Sequence, residues 1–185
     1  MLEILSGLNN EQYNLFIQFM LKRSDVFTFF LPNFQKKMVT VDNKKMFDDL
    51  EIGTTICYDD GENFLAYKQC VAPRIELIEK NIIRRFIDVK YCGDIYNYEC
   101  EIYVVKIDNT LNDDFFSVKG LWDWKYPYFP EDICFYKNKK CFMRSIAHEE
   151  MCMIYDSDQS IISFLDKIGV TYWESPDEEV PNLPI

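Results

Sequence analysis

Trp122-Asp-Trp-Lys-Tyr-Pro-Tyr-Phe-Pro-Glu-Asp-Ile-Cys-Phe-Tyr136 runs on through Lys137-Asn-Lys-Lys140, Cys141-Phe-Met-Arg-Ser-Ile146 and Ala147-His-Glu-Glu150 to Met151-Cys-Met-Ile-Tyr155. Three short apolar runs, at 134–136, 141–146 and 151–155, are separated by two polar breaks. That pattern predicts an antiparallel meander with tight turns. The region also holds two of the three Trp and, at His148, the chain's one histidine.

Working outward, Ile95–Ile107 alternates, with Tyr96, Tyr98, Cys100, Ile102 and Val104 on one parity and Asn97, Glu99 and Glu101 on the other, as a half-buried strand does. Val26-Phe-Thr-Phe-Phe-Leu31, closed by Pro32, reads as a buried strand. The residues around Asp59-Asp-Gly61 read as a hairpin, because Asp-Gly supplies the positive φ angles a tight turn needs. Phe34–Val41 reads as a strand or a loop.

Helical spacing recurs three times. Asn9 or Asn10 caps a stripe of Tyr13, Phe16, Ile17, Met20 and Leu21, and Asp156-Ser-Asp158 caps a helix from about Gln159 to Ile168 that Gly169 ends. Pro73 opens a third helix, from about Arg74 into the late eighties, through Ile75, Ile78, Ile82, Phe86 and Val89, although Ile87–Tyr91 also alternates. Lys44–Leu50 predicts a short helix and Val170–Trp173 an edge strand. Together these predict an α+β fold, an antiparallel β-sheet of hairpins and a meander packed with about three to four helices. Residues 1–175 read as a single domain, and 176–185, rich in Pro and acid, as a tail ordered only if something holds it.

The chain has 185 residues, 48% of them hydrophobic and 16% aromatic, enough apolar material to fold unaided. Its 20 basic and 31 acidic residues leave a net charge of −11, which argues against nucleic acid, whose binding depends on neutralising phosphates, and favours a basic protein partner. Seven Cys, without a C-x-x-C pair or a leader, predict reduced thiols in a cytoplasmic protein. No run reaches roughly 18 apolar residues, so no membrane span is expected.

Two constellations carry chemistry. His148-Glu-Glu-Met-Cys152 is one letter from the H-E-x-x-H zinc pattern, with Cys152 in place of the second histidine; on a strand those positions stand too far apart to share an ion, so no metal and no cofactor is expected. His148 with Glu149 and Cys152 is then the candidate catalytic set, a thiol or carboxylate worked by an imidazole. The second constellation is aromatic: Trp122, Trp124, Tyr126 and Tyr128, framed by Asp123, Glu131 and Asp132, form an expected binding surface, the alternative being that these rings plug one end of the sheet.

Tyr126-Pro-Tyr-Phe-Pro-Glu-Asp-Ile-Cys-Phe-Tyr136, then Ser145-Ile-Ala-His-Glu149 and Ile154-Tyr155, resembles a pattern in uncharacterised bacterial proteins, some labelled as sporulation-related. The likeness carries no catalytic residue to this chain. In general character, rather than by motif, the chain is similar to bacterial immunity proteins, which plug the basic active site of a toxin. The expected function is an acidic binding or inhibitory module; the alternatives are a small hydrolase using His148 with a nearby Cys or carboxylates, and a structural subunit.

Overall fold

The computed structural model describes residues 1–32, 37–40, 55–58, 67–126, 128–156, 158–176 and 179–184. Helix α1, Asn10–Arg23, starts at Asn9, whose side chain accepts the Gln12 N–H while the Gln12 side chain accepts the Asn9 N–H. This reciprocal cap satisfies two N–H groups that the first turn leaves orphaned. The predicted stripe Tyr13, Phe16, Ile17, Met20 and Leu21 is buried.

The main sheet has eight strands, all antiparallel: β1 Leu2–Ile4, β2 Val26–Pro32, β5 Ile82–Tyr91, β6 Asp94–Lys106, β7 Glu131–Lys137, β8 Lys140–Ile146, β9 Met151–Ile154 and β10 Tyr172–Glu174. Their order is β10-β1-β9-β8-β7-β2-β6-β5. A separate two-stranded ladder pairs β3, Lys37–Thr40, with β4, Thr55–Tyr58. The meander β7-β8-β9 sits near the centre, and β2 pairs with both β7 and β6. The fold is therefore α+β, with the sheet dominant.

Two further α-helices, α2 Ala72–Glu76 and α3 Gln159–Ile168, complete the α-helical set among the described residues. In α3, Asp158 accepts the N–H groups of Ser160 and Ile161, and Gly169 closes the helix at φ 69°, where a Cβ would be strained. Helix α1 and α3 contribute to a core with Phe27, Phe29, Tyr103, Val105, Ile133 and Phe135. The alternate residues of the same strands, Phe30, Ile102, Val104, Cys134 and Tyr136, form a second core on the other face. The central strands are thus buried on both sides, which is why they read as nearly continuous apolar runs.

Among the described residues, no helix contributes to that second core. The tip of the β5–β6 hairpin brings Tyr91 and Cys92 onto it, and the C-terminal residues Val180 and Leu183 pack there too. The Cys141 N–H donates to Pro181 O at 2.8 Å and the Leu183 N–H to Lys139 O at 2.8 Å, so segment 179–184 is held along the start of β8.

The helix expected from Arg74 into the late eighties ends at Glu76, and Ile82–Tyr91 is a strand. Ile82, Ile83, Phe86, Ile87 and Val89 are β-branched or aromatic, and pairing with β6 outweighs the three-and-four spacing. Gly93 belongs to the hairpin turn between β5 and β6, with φ 98° after Cys92 at φ 46°. Strand β1 has no counterpart in the sequence reading. Lys44–Leu50 and Asp59-Asp-Gly61 lie outside the described residues.

Candidate functional site

The site begins at an irregularity in β7. Thr28 pairs with Cys134 but Phe30 pairs with Glu131, so β7 carries one extra residue against β2. Such a bulge re-aims a side chain at the end of a strand. Here Asp132 takes φ 50°, a left-handed conformation that Asp tolerates better than most residues.

Two contacts hold Asp132, and a third holds one of its partners. Its Oδ1 accepts the Ala147 N–H at 2.8 Å, its backbone carbonyl accepts the Tyr91 hydroxyl at 2.6 Å, and Tyr91 shares a 2.9 Å hydrogen bond with Thr28 Oγ1. Residue Asp132 is 1% exposed. Its Oδ2 lies 4.0 Å from His148 Nδ1, an ion-pair distance beyond hydrogen-bond length. The imidazole is half exposed on the β8–β9 turn, and its Nε2 is 3.7 Å from Glu149 Oε1.

Glu131 completes the group. Burial first, and the neighbouring Asp132 charge second, push its carboxyl up to about 7, while the Tyr126 N–H, donated to the carboxylate, works in the opposite direction. One ligand atom each from Glu131, Asp132 and His148 lies within 4.8 Å of the others. Three ligands about 2.0–2.2 Å from a zinc-sized ion stand roughly 3.3–3.8 Å apart, so the group would have to close by up to about 1 Å for an imidazole and two carboxylates to share a divalent cation.

The structure therefore joins residues from both sequence constellations, Glu131 and Asp132 from the aromatic stretch and His148 with Glu149 from the near-zinc motif. Cys152 is excluded from this group. It is fully buried in the helix-side core, where burial pushes its thiol far up, which removes the thiolate a nucleophile needs.

The aromatic stretch is divided as well. Trp124 is fully buried: its Nε1 donates to Tyr13 Oη at 3.1 Å, Tyr13 donates to the Phe116 carbonyl at 3.2 Å, and its ring packs 5.4 Å from Phe115. It offers nothing to a partner, because the Pro-bounded segment folds inward through short 3₁₀ turns at Asp113–Phe116 and Leu121–Asp123. Trp122 is half-buried against Gly7, where an added Cβ would come within 3.1 Å of its Nε1. Tyr126 is half-buried, Asp123 exposed, and Tyr128 61% exposed. Asp132 is buried. The continuous docking face expected from the sequence is thus reduced to Tyr128, Asp123, the edge of Glu131 and the His148–Glu150 turn.

Sequence reasoning missed Ala147, whose backbone N–H anchors Asp132, and Tyr91, which reaches it from 41 residues away. No local pattern marks either. No family model, curated protein or solved structure matches the chain.

Proposed function

We propose that the chain is an acidic binding or inhibitory module for a basic protein partner, in the manner of an immunity protein, and that its contact surface is where segment 121–131 meets the His148–Glu150 turn. The observation that carries this reading is the position of Glu131. It receives the Tyr126 N–H on one side and clusters with Asp132 and His148 on the other, linking the segment that bears exposed Tyr128 and Asp123 to the turn that bears exposed Glu149 and Glu150. A rigid aromatic ring beside carboxylates gives a basic surface both packing area and charge complementarity, and the charge raises the association rate more than the affinity.

The test is a titration of purified basic nuclease domains, with poly-L-lysine as a non-specific reference. Neutralising Glu149 and Glu150 to Gln together with Tyr128→Ala should lower a nuclease's affinity by about a hundredfold, given hot-spot costs of roughly 1–3 kcal/mol. A control that removes the same charge at Glu76 and Glu79 should lower it only slightly. Equal losses from both sets would reduce the interaction to net charge and end this assignment.

A second reading, a small hydrolase using His148 with carboxylates, is favoured by the clustering of donor atoms at Glu131, Asp132 and His148. There the cation would polarise a substrate and activate water. Calorimetric titration with Zn²⁺ or Mn²⁺ decides it: stoichiometric heat lost in His148→Ala supports this reading, and no heat ends it.

A further inference from the structure

In the second core, thiols converge from the β5–β6 turn and from strand β8. Cys92 Sγ lies 3.7 Å from Cys141 Sγ, Tyr136 donates its hydroxyl to Cys92 Sγ at 3.3 Å, and Cys141 Sγ contacts the Met143 carbonyl at 3.4 Å. A disulfide needs about 2.0 Å between sulfurs, so closure asks for a shift of some 1.7 Å, within the reach of side-chain rotation. Cys92 occupies the first position of a two-residue turn at φ 46°, a place where Asn or Gly is the relaxed choice.

Next to the pair is a cleft of about 470 Å³, lined by Gly93, Arg144, Tyr155, Val180, Pro181 and Asn182. Gly93 follows Cys92 directly, and Pro181 accepts the Cys141 N–H, so the cleft wall includes the immediate neighbours of both cysteines. The Arg144 guanidinium, paired with Asp94, sits over Gly93: a Cβ there would be 3.6 Å from its Nη1.

We propose that Cys92 and Cys141 are an oxidative modification site, a dithiol that hydrogen peroxide entering by the Arg144 cleft converts to a disulfide. The Cys92 thiolate attacks one peroxide oxygen, the O–O bond breaks, and the departing hydroxide takes up a proton to leave as water. The Cys141 sulfur then displaces hydroxide from the Cys92 sulfenic acid, gives up its proton, and a second water leaves. Two thiols lose two electrons in all, and one peroxide becomes two waters. Chemistry supports the roles. Burial disfavours a thiolate at both positions, but at Cys92 the hydrogen bonds from Cys134, Cys141 and Tyr136 and the Arg144 charge outweigh it and hold the thiol well below its ordinary value, whereas burial holds Cys141 well above. Cys92 is the attacking sulfur and Cys141 the resolving one.

The exposed thiol of Cys70 is an internal reference. The full chain is treated with graded hydrogen peroxide, blocked with an alkylating agent and mapped by mass spectrometry without reduction. A Cys92–Cys141 cross-linked peptide, two hydrogens lighter than the dithiol, should form at least about tenfold faster than Cys70 is oxidised, as an activated thiolate beside a resolving thiol requires. In Cys141→Ser the cross-link should vanish and Cys92 should accumulate as a sulfenic acid trapped by dimedone. Reduced Cys92 and Cys141 in protein whose Cys70 is fully oxidised would overturn the proposal, and so would a Cys92–Cys134 cross-link in the unmodified sequence.

Discussion

On the helix-covered face of the sheet, Phe27 packs 5.1 Å from Phe116 and 5.5 Å from Phe115, and Trp124 closes the group beside Phe115 and Phe116. On the opposite face Tyr91, Tyr136, Cys92, Cys134 and Cys141 join Phe30, Ile102, Val104 and Leu183, and these tyrosines and cysteines bring polar atoms into the interior. The first arrangement derives its strength from apolar area and ring geometry. The second depends on hydrogen bonds whose partners come from other strands. Stability is therefore concentrated under the helices, while titratable and nucleophilic groups are concentrated on the side closed by a hairpin tip and a terminal segment. Asp132 sits where the two meet, its backbone carbonyl tied to Tyr91 and its carboxylate aimed at the β8–β9 turn.

Substitutions on the helix side should have the largest effect. Trp124→Ala removes a fully buried indole and leaves the Tyr13 hydroxyl without its donor, at a cost of about 3–5 kcal/mol in urea unfolding. Leu183→Ala, in the segment that covers the other face, removes a side chain at the rim of its core, and about 1–2 kcal/mol is expected. Equal losses at the two positions would erase the contrast between the faces.

Next comes the boundary between them. Glu131 has its folded pKa raised from 4.5 to about 7, so between those values the folded state binds more protons than the unfolded one. Its contribution to stability is present below about pH 4.5 and is lost as pH rises through 7, by on the order of 2 kcal/mol for this partly exposed group. Glu131→Gln should flatten the stability profile across that window; an unchanged slope would remove Glu131 as its source.

Tyr91→Phe tests the polar face alone. It deletes the hydroxyl that serves the Asp132 carbonyl and Thr28, and about 1–2 kcal/mol should be lost with no cavity to account for it. If the same variant also lowers affinity at the His148 turn, the Asp132 bulge transmits between the face and the site.

What the sequence disclosed follows the same division. The caps at Asn9 and Asp158, the turn at Gly169 and the meander are local, so spacing and turn chemistry reveal them. Residues 82–91 misled because their apolar positions satisfy helical and strand periods together, and pairing with β6 decides between them. Strand β1, three residues long, is too short to show a period and exists through its pairing with β9 and β10. The candidate site was half legible: Glu131, Asp132 and His148 were each singled out, but their meeting depends on a bulge and on the Ala147 N–H. The thiol pair depends on a contact across 49 residues of sequence, which no pattern of cysteine spacing foretells.

The smallest effect is expected at the edge of the helix layer. Asp158 caps α3 and also pairs with Arg23 Nη2 at 2.5 Å, with its side chain 45% exposed. Hydrogen bonds from Ser160 lower its pKa first, with Arg23 and the Ile161 N–H adding to the effect, to about 2. Because the folded value is depressed, its stabilisation is present above about pH 4 and fades as pH falls toward 2. Asp158→Ala should cost about 1 kcal/mol through the cap, whereas Asp158→Asn keeps a capping oxygen and loses only the charge. The difference between the two isolates the exposed ion pair, for which about 0–1 kcal/mol is expected, shrinking further in high salt. A larger, salt-resistant difference would mean that the α1–α3 contact owes more to this pair than to the stacked Phe19 and Phe164 rings, 3.9 Å apart, that lie between the same two helices.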